Sequence, residues 1–530
     1  MTSLATTRTA LRFAGPVVLA LLLAGCGHGT ARTGVSADWV AGRTAPAFDP
    51  DGPPDALRWA LERQLSMGLV ERDSSGALRN AIADSIGCSR DSLRWTFRLR
   101  AGLRFTDGTA ASSHDVSAAL TAGLAREDHA TRAWLLAAVA GMQNVRAGRP
   151  LPALGIETPD ERTLVLRLAR PDRRLLEKLA LPGVSTPWKR RSGSWGDAVG
   201  VGPYRVGAAN GERSLTLVAA GPVAGVTPLT DTLHVRFVSG AARAAAVMRL
   251  AHADMLWPLP PGTLAQPLPT GWSLETRVSV PARQLLLVLR ADLPPMTHAE
   301  TRQALARVIH LEELMTELGS GCEPVRRWLT GARTAYEWPS LESPLDREMR
   351  ASSPGRTATG NQARPESFHF MLAYDADQSG ADIARALQGQ WASAGHYAEL
   401  RSLRGQAATA HALAAAAAQA QLVESQVSLP GAEAELAQLV MPVRGPAVGS
   451  FRTGWRTREF DRWVAVPEPV PGFDPDAAQS RLAADRVILP LATLPWRMAF
   501  RNGGARPRVH PAYGPGWTAV NSPAANARTR

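Results

Sequence analysis

One stretch of this 530-residue chain, residues 93–108, restricts the fold more than any other. It reads LRWTFRLRAGLRFTDG, and apolar residues alternate with charged or polar residues around Trp95 and Phe97. Such alternation predicts a β-strand with one buried face. The pair Asp107-Gly108 predicts a tight turn that ends a hairpin. We therefore expect a hairpin whose aromatic side chains, including Phe105, belong to a core.

The amino terminus predicts export. Arg8 and Arg12 precede an apolar run over residues 13–23, which is too short for a membrane span of roughly 20 apolar residues. The run ends in Leu-Ala-Gly-Cys, which resembles the lipobox of bacterial lipoproteins and makes Cys26 the expected lipidation site. An ordinary secretory signal with an accidental cysteine is the alternative. We expect a lipoprotein signal peptide over residues 1–25, and the choice between inner and outer membrane stays open.

The remaining cysteines do not form a stabilising framework. Only Cys88 and Cys322 are left, so at most one disulfide is possible, and their spacing does not say whether they pair. No cysteine or histidine cluster has the spacing of zinc ligands. We therefore predict no metal site and no cofactor.

Composition predicts a globular protein with several subdomains. Hydrophobic residues make up 45% of the chain and charged residues 20%, and a mature chain of roughly 500 residues exceeds one core. The formal net charge of +12 suggests nucleic acid as a partner. The arginines are dispersed, however, and an exported lipoprotein does not meet the genome, so we exclude that partner.

Helical and strand patterns mix along the whole chain, which predicts an α/β fold with mixed α+β character. The apolar run 284–290 is suited to a central strand buried on both faces. The main predicted helices cover 55–68, 131–146, 301–318, 381–395 and 476–488, further strands cover 162–168 and 368–375, and a polar loop covers 340–366.

The order of these patterns matches a known family. The stretch WTFRLRAGLRFTDGTAASSHDVSAAL is similar to a motif of the bacterial solute-binding protein family 5. Weaker landmarks follow in the family's order: GPYRV, HADMLW, LPPMTHAETRQALARVIHLEEL and LPLATLPW. The chain thus resembles the receptors that deliver oligopeptides and dipeptides to ABC importers.

This resemblance implies a periplasmic binding protein-like fold, with two lobes, a hinge, a cleft and a smaller inserted subdomain. The implied organisation is a signal peptide over 1–25, a tether and the start of lobe 1 over 26–66, the inserted subdomain over 67–198, lobe 1 again over 199–285, lobe 2 over 286–485, and a return to lobe 1 over 486–530.

The chain departs from the family where a peptide ligand is bound. Family members carry an Asp in lobe 2 that pairs with the peptide's ammonium group, but residues 422–440 contain no Asp. Glu424 and Glu433 are the nearby carboxylates, and an exposed structural role is the alternative for each. Arg290 replaces the family's Asn after the crossing strand, and Trp257 is a further candidate ligand contact.

The resemblance implies the substrate-binding component of an ABC importer, which captures a peptide or similar small solute and delivers it to a membrane permease with its ATPase. We expect a periplasmic, lipid-anchored monomer. A hydrolase is less compatible with the sequence, because no G-x-S-x-G, H-E-x-x-H or P-loop motif occurs. A transport-inactive envelope lipoprotein that acts as a sensor or scaffold is the alternative.

Overall fold

The computed structural model describes most of the chain after the predicted signal peptide and tether. The described residues are 35–52, 55–122, 124, 135–146, 154–250, 253–260, 262–265, 267–277, 283–319, 321–329, 332–333, 335–336, 338, 367–376, 380–403, 418–426, 436, 453–455, 457–458 and 473–520. Four predicted features lie outside these residues: the signal peptide, Cys26, Glu433 and the loop 340–366.

A seven-stranded mixed sheet contains the first described strand. In spatial order its strands are Trp272–Arg277, Trp496–Arg501, Met255–Leu256, Ser36–Ala41, Thr232–Phe237, Ser214–Ala219 and Tyr204–Asn210. The strand Ser36–Ala41 pairs in parallel with both of its neighbours, and the other pairings are antiparallel. The helices Ala56–Leu65 and Ala241–Arg249 belong to the same part of the chain.

The opening stretch lies in a four-stranded antiparallel sheet, so the strand prediction is confirmed. The strands, in spatial order, are Ala83–Cys88, Arg94–Leu99, Thr163–Arg167 and Ile156–Asp160. Phe97 and Phe105 are buried, whereas Trp95 is half-buried and packs against the same apolar cluster. The helices of this region are Ser113–Ala122, Met142–Arg146 and Leu175–Leu179.

Local hydrogen bonds account for the turn and the helix start that follow this strand. Asp107 Oδ1 accepts a hydrogen bond from the Thr109 N–H at 2.9 Å, and Gly108 has φ +89, which favours glycine. The Asp115 carboxylate accepts hydrogen bonds from the N–H and the hydroxyl of Ser112. These contacts are the physical reason why the turn and the helix start where the sequence indicates.

A six-stranded sheet forms the other large layer. Its strands, in spatial order, are Glu323–Pro324, Ile488–Leu494, Arg283–Leu289, Ala420–Gln426, His369–Asp375 and Tyr397–Leu403. Leu285, Leu287 and Leu289 pack into one cluster of buried residues and Leu286 and Val288 into another. The prediction of a central strand buried on both faces is therefore confirmed.

The helices of this second layer include one interruption that the sequence does not indicate. They are Ala299–Arg307, Leu311–Leu318, Gly380–Ser393 and Pro475–Asp485. The predicted single helix over 301–318 is wrong, because the helix stops before His310. Gln390 accepts a hydrogen bond from the His310 N–H at 3.0 Å and donates one to the His310 carbonyl at 3.3 Å, which replaces helical bonds.

The remaining elements are short. They are the strands Val70–Arg72, Leu78–Asn80, Val226–Pro228, Arg508–His510, Gly514–Gly516 and Thr518–Val520, and the 3₁₀ turns Trp195–Asp197 and Thr263–Ala265. Cys88 is exposed, Cys322 is half-buried, and both are free thiols. Among the described helices, none has the length and apolar character needed to cross a membrane.

The strands at the junction of the two large sheets are paired on both sides of it. Arg277, which ends Trp272–Arg277 of the seven-stranded sheet, pairs with Trp496, and Arg283, which begins Arg283–Leu289 of the six-stranded sheet, pairs with Leu494. Pro495 connects Ile488–Leu494 back to Trp496–Arg501. Ile488–Leu494 pairs with Arg283–Leu289 in the six-stranded sheet, and the return to the first lobe from residue 486 stays a prediction. The chain therefore leaves that sheet at Pro495.

Candidate functional site

Arg283 lies where the chain passes between the two sheets, and its guanidinium contacts three partners. It donates hydrogen bonds to the Pro495 carbonyl at 3.2 Å and to Glu424 Oε2 at 2.7 Å. Its guanidinium carbon also lies 4.3 Å from the centre of the Trp496 ring. Arg283, at the start of the strand Arg283–Leu289, therefore contacts Pro495 and Trp496, where the chain leaves the six-stranded sheet.

Glu424, a predicted ligand carboxylate, is placed in this ion pair. It lies in the strand Ala420–Gln426, directly opposite Leu285 of the central strand. Its side chain is 10% exposed and that of Arg283 is 17% exposed, so water screens the pair only in part. The carboxylate is therefore already charge-compensated by the protein, and its role as a ligand contact stays a prediction.

Arg497 connects the seven-stranded sheet to a helix of the second layer. From the strand Trp496–Arg501 it donates hydrogen bonds to the carbonyls of Leu318 at 2.6 Å and Gly319 at 2.8 Å. These carbonyls end the helix Leu311–Leu318, where the helix dipole favours a cation. Arg497 also lies 3.0 Å from Cys322 Sγ, and burial raises the pKa of this thiol.

Trp257, a further candidate, lies in the core beside the seven-stranded sheet and is 2% exposed. Its ring centre is 6.0 Å from that of Trp39 and 5.3 Å from that of Trp496. Its carbonyl accepts a hydrogen bond from the Trp39 indole at 2.6 Å. The structure therefore gives this side chain a packing role, and ligand contact stays a prediction.

Arg290, the fourth candidate, follows the central strand and is 5% exposed. It donates two hydrogen bonds to the Asp292 carboxylate, at 3.0 and 2.7 Å, which is the paired geometry typical of arginine. Gly454 packs closely against Asp292, since a Cβ at Gly454 would lie 2.3 Å from the Asp292 Cβ. Solute contact by Arg290 also stays a prediction, while Glu433 lies outside the described residues.

Two of the four predicted ligand residues are therefore connected through residues that the sequence analysis did not single out. Trp257 contacts Trp496, Trp496 lies under Arg283, and Arg283 pairs with Glu424. The sequence analysis did not use the position of Arg283 and Trp496, which lie where the chain passes between the two sheets. Arginine and tryptophan are common in cores and on strands, so the residue types alone do not indicate this contact. The pairing of the strands brings Arg283 and Trp496 together.

A buried ionic network lies at the start of the helix Ala56–Leu65. Arg43 pairs with Asp55 at 3.1 Å, and Arg191 donates to both carboxylate oxygens of Asp51 at 2.7 Å. Arg58 Nε lies 3.3 Å from Glu62 Oε1.

Burial of Glu62 has a large electrostatic effect. Desolvation raises the pKa of Glu62 to about 8, against the opposing charges of Arg58 and Arg191 and with the support of Asp49 and Asp55. No group of three or more metal-ligating side chains occurs among the residues that the structure describes.

The sheets and helices form a mixed α/β fold, and the comparisons identify its family. The sequence profile of the family "Bacterial extracellular solute-binding proteins, family 5 Middle" matches residues 77–425, more than half of the chain. The chain belongs to this family of bacterial extracellular solute-binding proteins, as the opening motif led us to expect.

Curated relatives cover part of the chain. The glutathione-binding protein GsiB of Escherichia coli O1:K1 is 24% identical over 285 residues, which is 52% of this chain and 52% of the relative. The GsiB of Salmonella choleraesuis has the same identity and coverage. The chain thus matches about half the length of these curated relatives.

Solved structures show the fold over nearly the whole chain. OppA of Haemophilus influenzae, in complex with RPPGFSPFR, has a TM-score of 0.72 at 16% identity and covers 92% of this chain and 99% of its own. AgaA of A. tumefaciens R10, in complex with agropinic acid, has a TM-score of 0.69 at 19% identity and covers 88% and 94%. The predicted fold of the periplasmic binding proteins is therefore confirmed.

Proposed function

We propose that this chain is the solute-capturing component of an ABC importer and that it holds a peptide or a similar small solute between two lobes. The observation that carries the proposal is that the chain passes between the two large sheets at two neighbouring places, since Arg277 pairs with Trp496 and Arg283 pairs with Leu494, in a member of a solute-binding family. Two connections side by side allow lobes to rotate through changes at few backbone torsions. Solute binding would stabilise the closed form, which a permease and its ATPase would recognise.

The lobes of this proposal follow the sheets. The seven-stranded sheet belongs to the first lobe, the six-stranded sheet to the second, and the four-stranded sheet to the inserted subdomain. The names of the similar proteins mention glutathione, an oligopeptide and agropinic acid. Peptides are therefore the first class of solute to test, and acids of the agropinic type are the second.

The proposal includes an anchor at the periplasmic side of the envelope. Its basis is the Leu-Ala-Gly-Cys ending of the apolar run before Cys26. Wild-type cells should incorporate radioactive palmitate into the protein, and the Cys26→Ser variant should remain unprocessed and unlabelled. Normal labelling of this variant would exclude Cys26 as the lipidation site.

The main experiment identifies the solute and measures lobe closure together. Protein is purified natively, the solute released on unfolding is identified by mass spectrometry, and small-angle scattering is recorded with and without it. We expect a released solute and a smaller radius of gyration when it is added back. If no solute is released and no peptide from a mixed library binds or changes the scattering, the scaffold alternative replaces the importer proposal.

The glutamates are tested by calorimetry with the same library. Glu433→Gln should weaken binding of solutes that carry an ammonium group, because a buried carboxylate–ammonium pair is sensitive to loss of one partner. Glu424→Gln should weaken binding as well, and its ion pair with Arg283 predicts an additional effect on closure. Equal binding by wild type and both variants would remove these two residues from the site.

A further inference from the structure

The end of the helix Leu311–Leu318 and the turn after it contact the seven-stranded sheet, although the strand that follows belongs to the six-stranded sheet. We call this segment the strap, and its described residues are Leu318, Gly319, Gly321 and Cys322. Gly321 packs closely, since a Cβ at Gly321 would lie 3.1 Å from Thr276 Cγ2 and 3.4 Å from Pro495 Cγ. The strap therefore lies beside the place where the chain passes between the two sheets.

Arg497 binds the strap through three contacts. It donates hydrogen bonds to the carbonyls of Leu318 at 2.6 Å and Gly319 at 2.8 Å, and it lies 3.0 Å from Cys322 Sγ. Thr276 is paired with Arg497 across the strands, so the contacts of both residues with the strap come from one position of the seven-stranded sheet. Because the two carbonyls end a helix, the helix dipole strengthens their interaction with the guanidinium.

The parts of the chain on either side of this crossing also touch elsewhere. One cluster of buried residues contains Phe97 and Leu164 of the four-stranded sheet together with Leu286 and Ile488 of the six-stranded sheet, whereas Trp496 belongs to a different cluster. In the proposed function these two sheets belong to the inserted subdomain and to the second lobe. Contact between these parts is expected when the lobes are closed, so the structure corresponds to the closed form of that proposal.

We propose that the strap is a latch, which Arg497 binds in the closed form and loses when the lobes open. The inference rests on the proposed function, because it needs lobes that rotate. Arg497 moves with the seven-stranded sheet, whereas the carbonyls of the strap move with the helix Leu311–Leu318 of the other layer. Since hydrogen bonds to a carbonyl weaken beyond about 3.2 Å, a small rotation is enough to break both. Arg497 is thus a positioning residue that favours closure without touching the solute.

The test labels the thiols of the full chain with N-ethylmaleimide and follows each cysteine by peptide mass spectrometry. Cys322 is half-buried beside Arg497, whereas Cys88 is exposed on the four-stranded sheet and serves as an internal control. Without added solute, Arg497→Met should label Cys322 about tenfold faster than wild type, because the opened form becomes more populated. Small-angle scattering of the same variant should give a larger radius of gyration, and the labelling rate of Cys88 should stay unchanged.

Loss of the Arg497 charge by itself would have the opposite effect on labelling. Burial raises the pKa of the Cys322 thiol and the charge of Arg497 lowers it, so a thiol that stays covered should react more slowly in Arg497→Met. Faster labelling therefore reports uncovering of Cys322. Arg497→Lys keeps the charge and should give an intermediate rate. The matched control is Arg277→Met, since the side chain of Arg277 is 61% exposed and pairs with Glu275, and this variant should behave like wild type.

The mixed peptide library connects the latch to solute binding. A peptide that binds should slow the labelling of Cys322 in wild type, because it favours the closed form. Faster labelling on binding, equal rates in wild type and Arg497→Met, or a faster rate in that variant with unchanged scattering would each overturn the proposal.

The comparison without solute keeps this test separate from the proposed function. If no peptide binds, the importer proposal loses support, while labelling and scattering of wild type and Arg497→Met still decide whether Arg497 holds the two parts together. If Arg497→Met does not fold by circular dichroism, Arg497→Lys carries the same comparison, and a rate equal to that of wild type would then overturn the latch.

Discussion

Three glutamates show how tertiary contacts assign different roles to one residue type. Glu424 neutralises Arg283 beside the connecting segments, and Glu157 pairs with Arg167 on an exposed strand face. Glu62 is buried beside Arg58, and its pKa is raised to about 8. The sequence indicated Glu424 alone among these three, because it lies in the stretch that lacks the family's Asp, whereas burial of Glu62 follows from how its helix packs.

Phe105 should contribute more to stability than Trp95, although the sequence predicted both as core residues. Phe105 is 2% exposed, whereas Trp95 is half-buried. Phe105→Ala should lower the free energy of unfolding by about 3–5 kcal/mol, and Trp95→Ala by clearly less. Urea unfolding followed by circular dichroism measures both, and a larger loss for Trp95→Ala would contradict the observed packing.

At the scale of elements, a side chain from a distant segment binds at the break in a helix that the sequence predicts as continuous. The pattern over 301–318 is typical of one amphipathic helix, yet the chain forms Ala299–Arg307 and Leu311–Leu318. Gln390 of the helix Gly380–Ser393 binds both backbone groups of His310 and also donates to Glu313 at 2.9 Å. This side chain satisfies groups that an uninterrupted helix would satisfy itself.

Replacing Gln390 should destabilise this interruption. Gln390→Leu removes the hydrogen bond that the half-buried His310 N–H donates, while the His310 carbonyl keeps the one from the Leu314 N–H, and we expect a loss of about 1 kcal/mol of unfolding free energy. Urea unfolding measures the loss, and amide hydrogen exchange should become faster at His310. Arg385→Leu, at an exposed position of the same helix, is the matched control and should leave exchange at His310 unchanged. Unchanged exchange in Gln390→Leu would contradict the assigned contact.

The Arg283–Glu424 ion pair should contribute to stability where the chain passes between the two sheets. Arg283→Met removes the charge and keeps most of the stem, and it should cost about 1–3 kcal/mol because the partly buried Glu424 loses this ion pair. The double variant Arg283→Met/Glu424→Leu should lose less stability than the sum of the two single variants. Equilibrium unfolding of the four proteins gives the coupling energy, and strict additivity would show that the pair contributes nothing.

In the molecule as a whole, one apolar cluster includes residues of two sheets. It contains Phe97 and Leu164 of the four-stranded sheet and Leu286 and Ile488 of the six-stranded sheet. These residues are far apart in the sequence, so the cluster ties distant segments into one body. Arg191 adds a polar contact between its own segment and Asp51, which precedes the first helix.

Glu62 predicts a pH dependence of global stability. Its pKa rises from the ordinary value of 4.5 to about 8 in the folded state, so the folded state binds more protons than the unfolded state between these values. The contribution of Glu62 to stability should therefore fall as pH rises from about 5 to about 8 and then level off. Burial lowers the pKa of His510 from 6.5 to about 3, which has the opposite effect up to about pH 6.5, so the prediction concerns the difference between wild type and Glu62→Gln. Thermal unfolding of wild type and Glu62→Gln between pH 5 and pH 9 measures this, and the variant should lack that decrease. Identical pH profiles would contradict the buried position of Glu62.

Local patterns were sufficient to predict the strand at Trp95, the turn at Asp107-Gly108, the central strand after residue 283 and the family. Alternation, turn residues and apolar runs act over neighbouring residues, so they can be read without knowledge of the fold.

The break at His310, the exit from the six-stranded sheet at Pro495 and the pairing of Arg283 with Glu424 required the tertiary structure. Each depends on a partner that is 80 or more residues away, or on which sheet a strand joins. Burial, charge compensation and strand pairing are properties of the assembled chain, and they decided which charged side chains pair with each other.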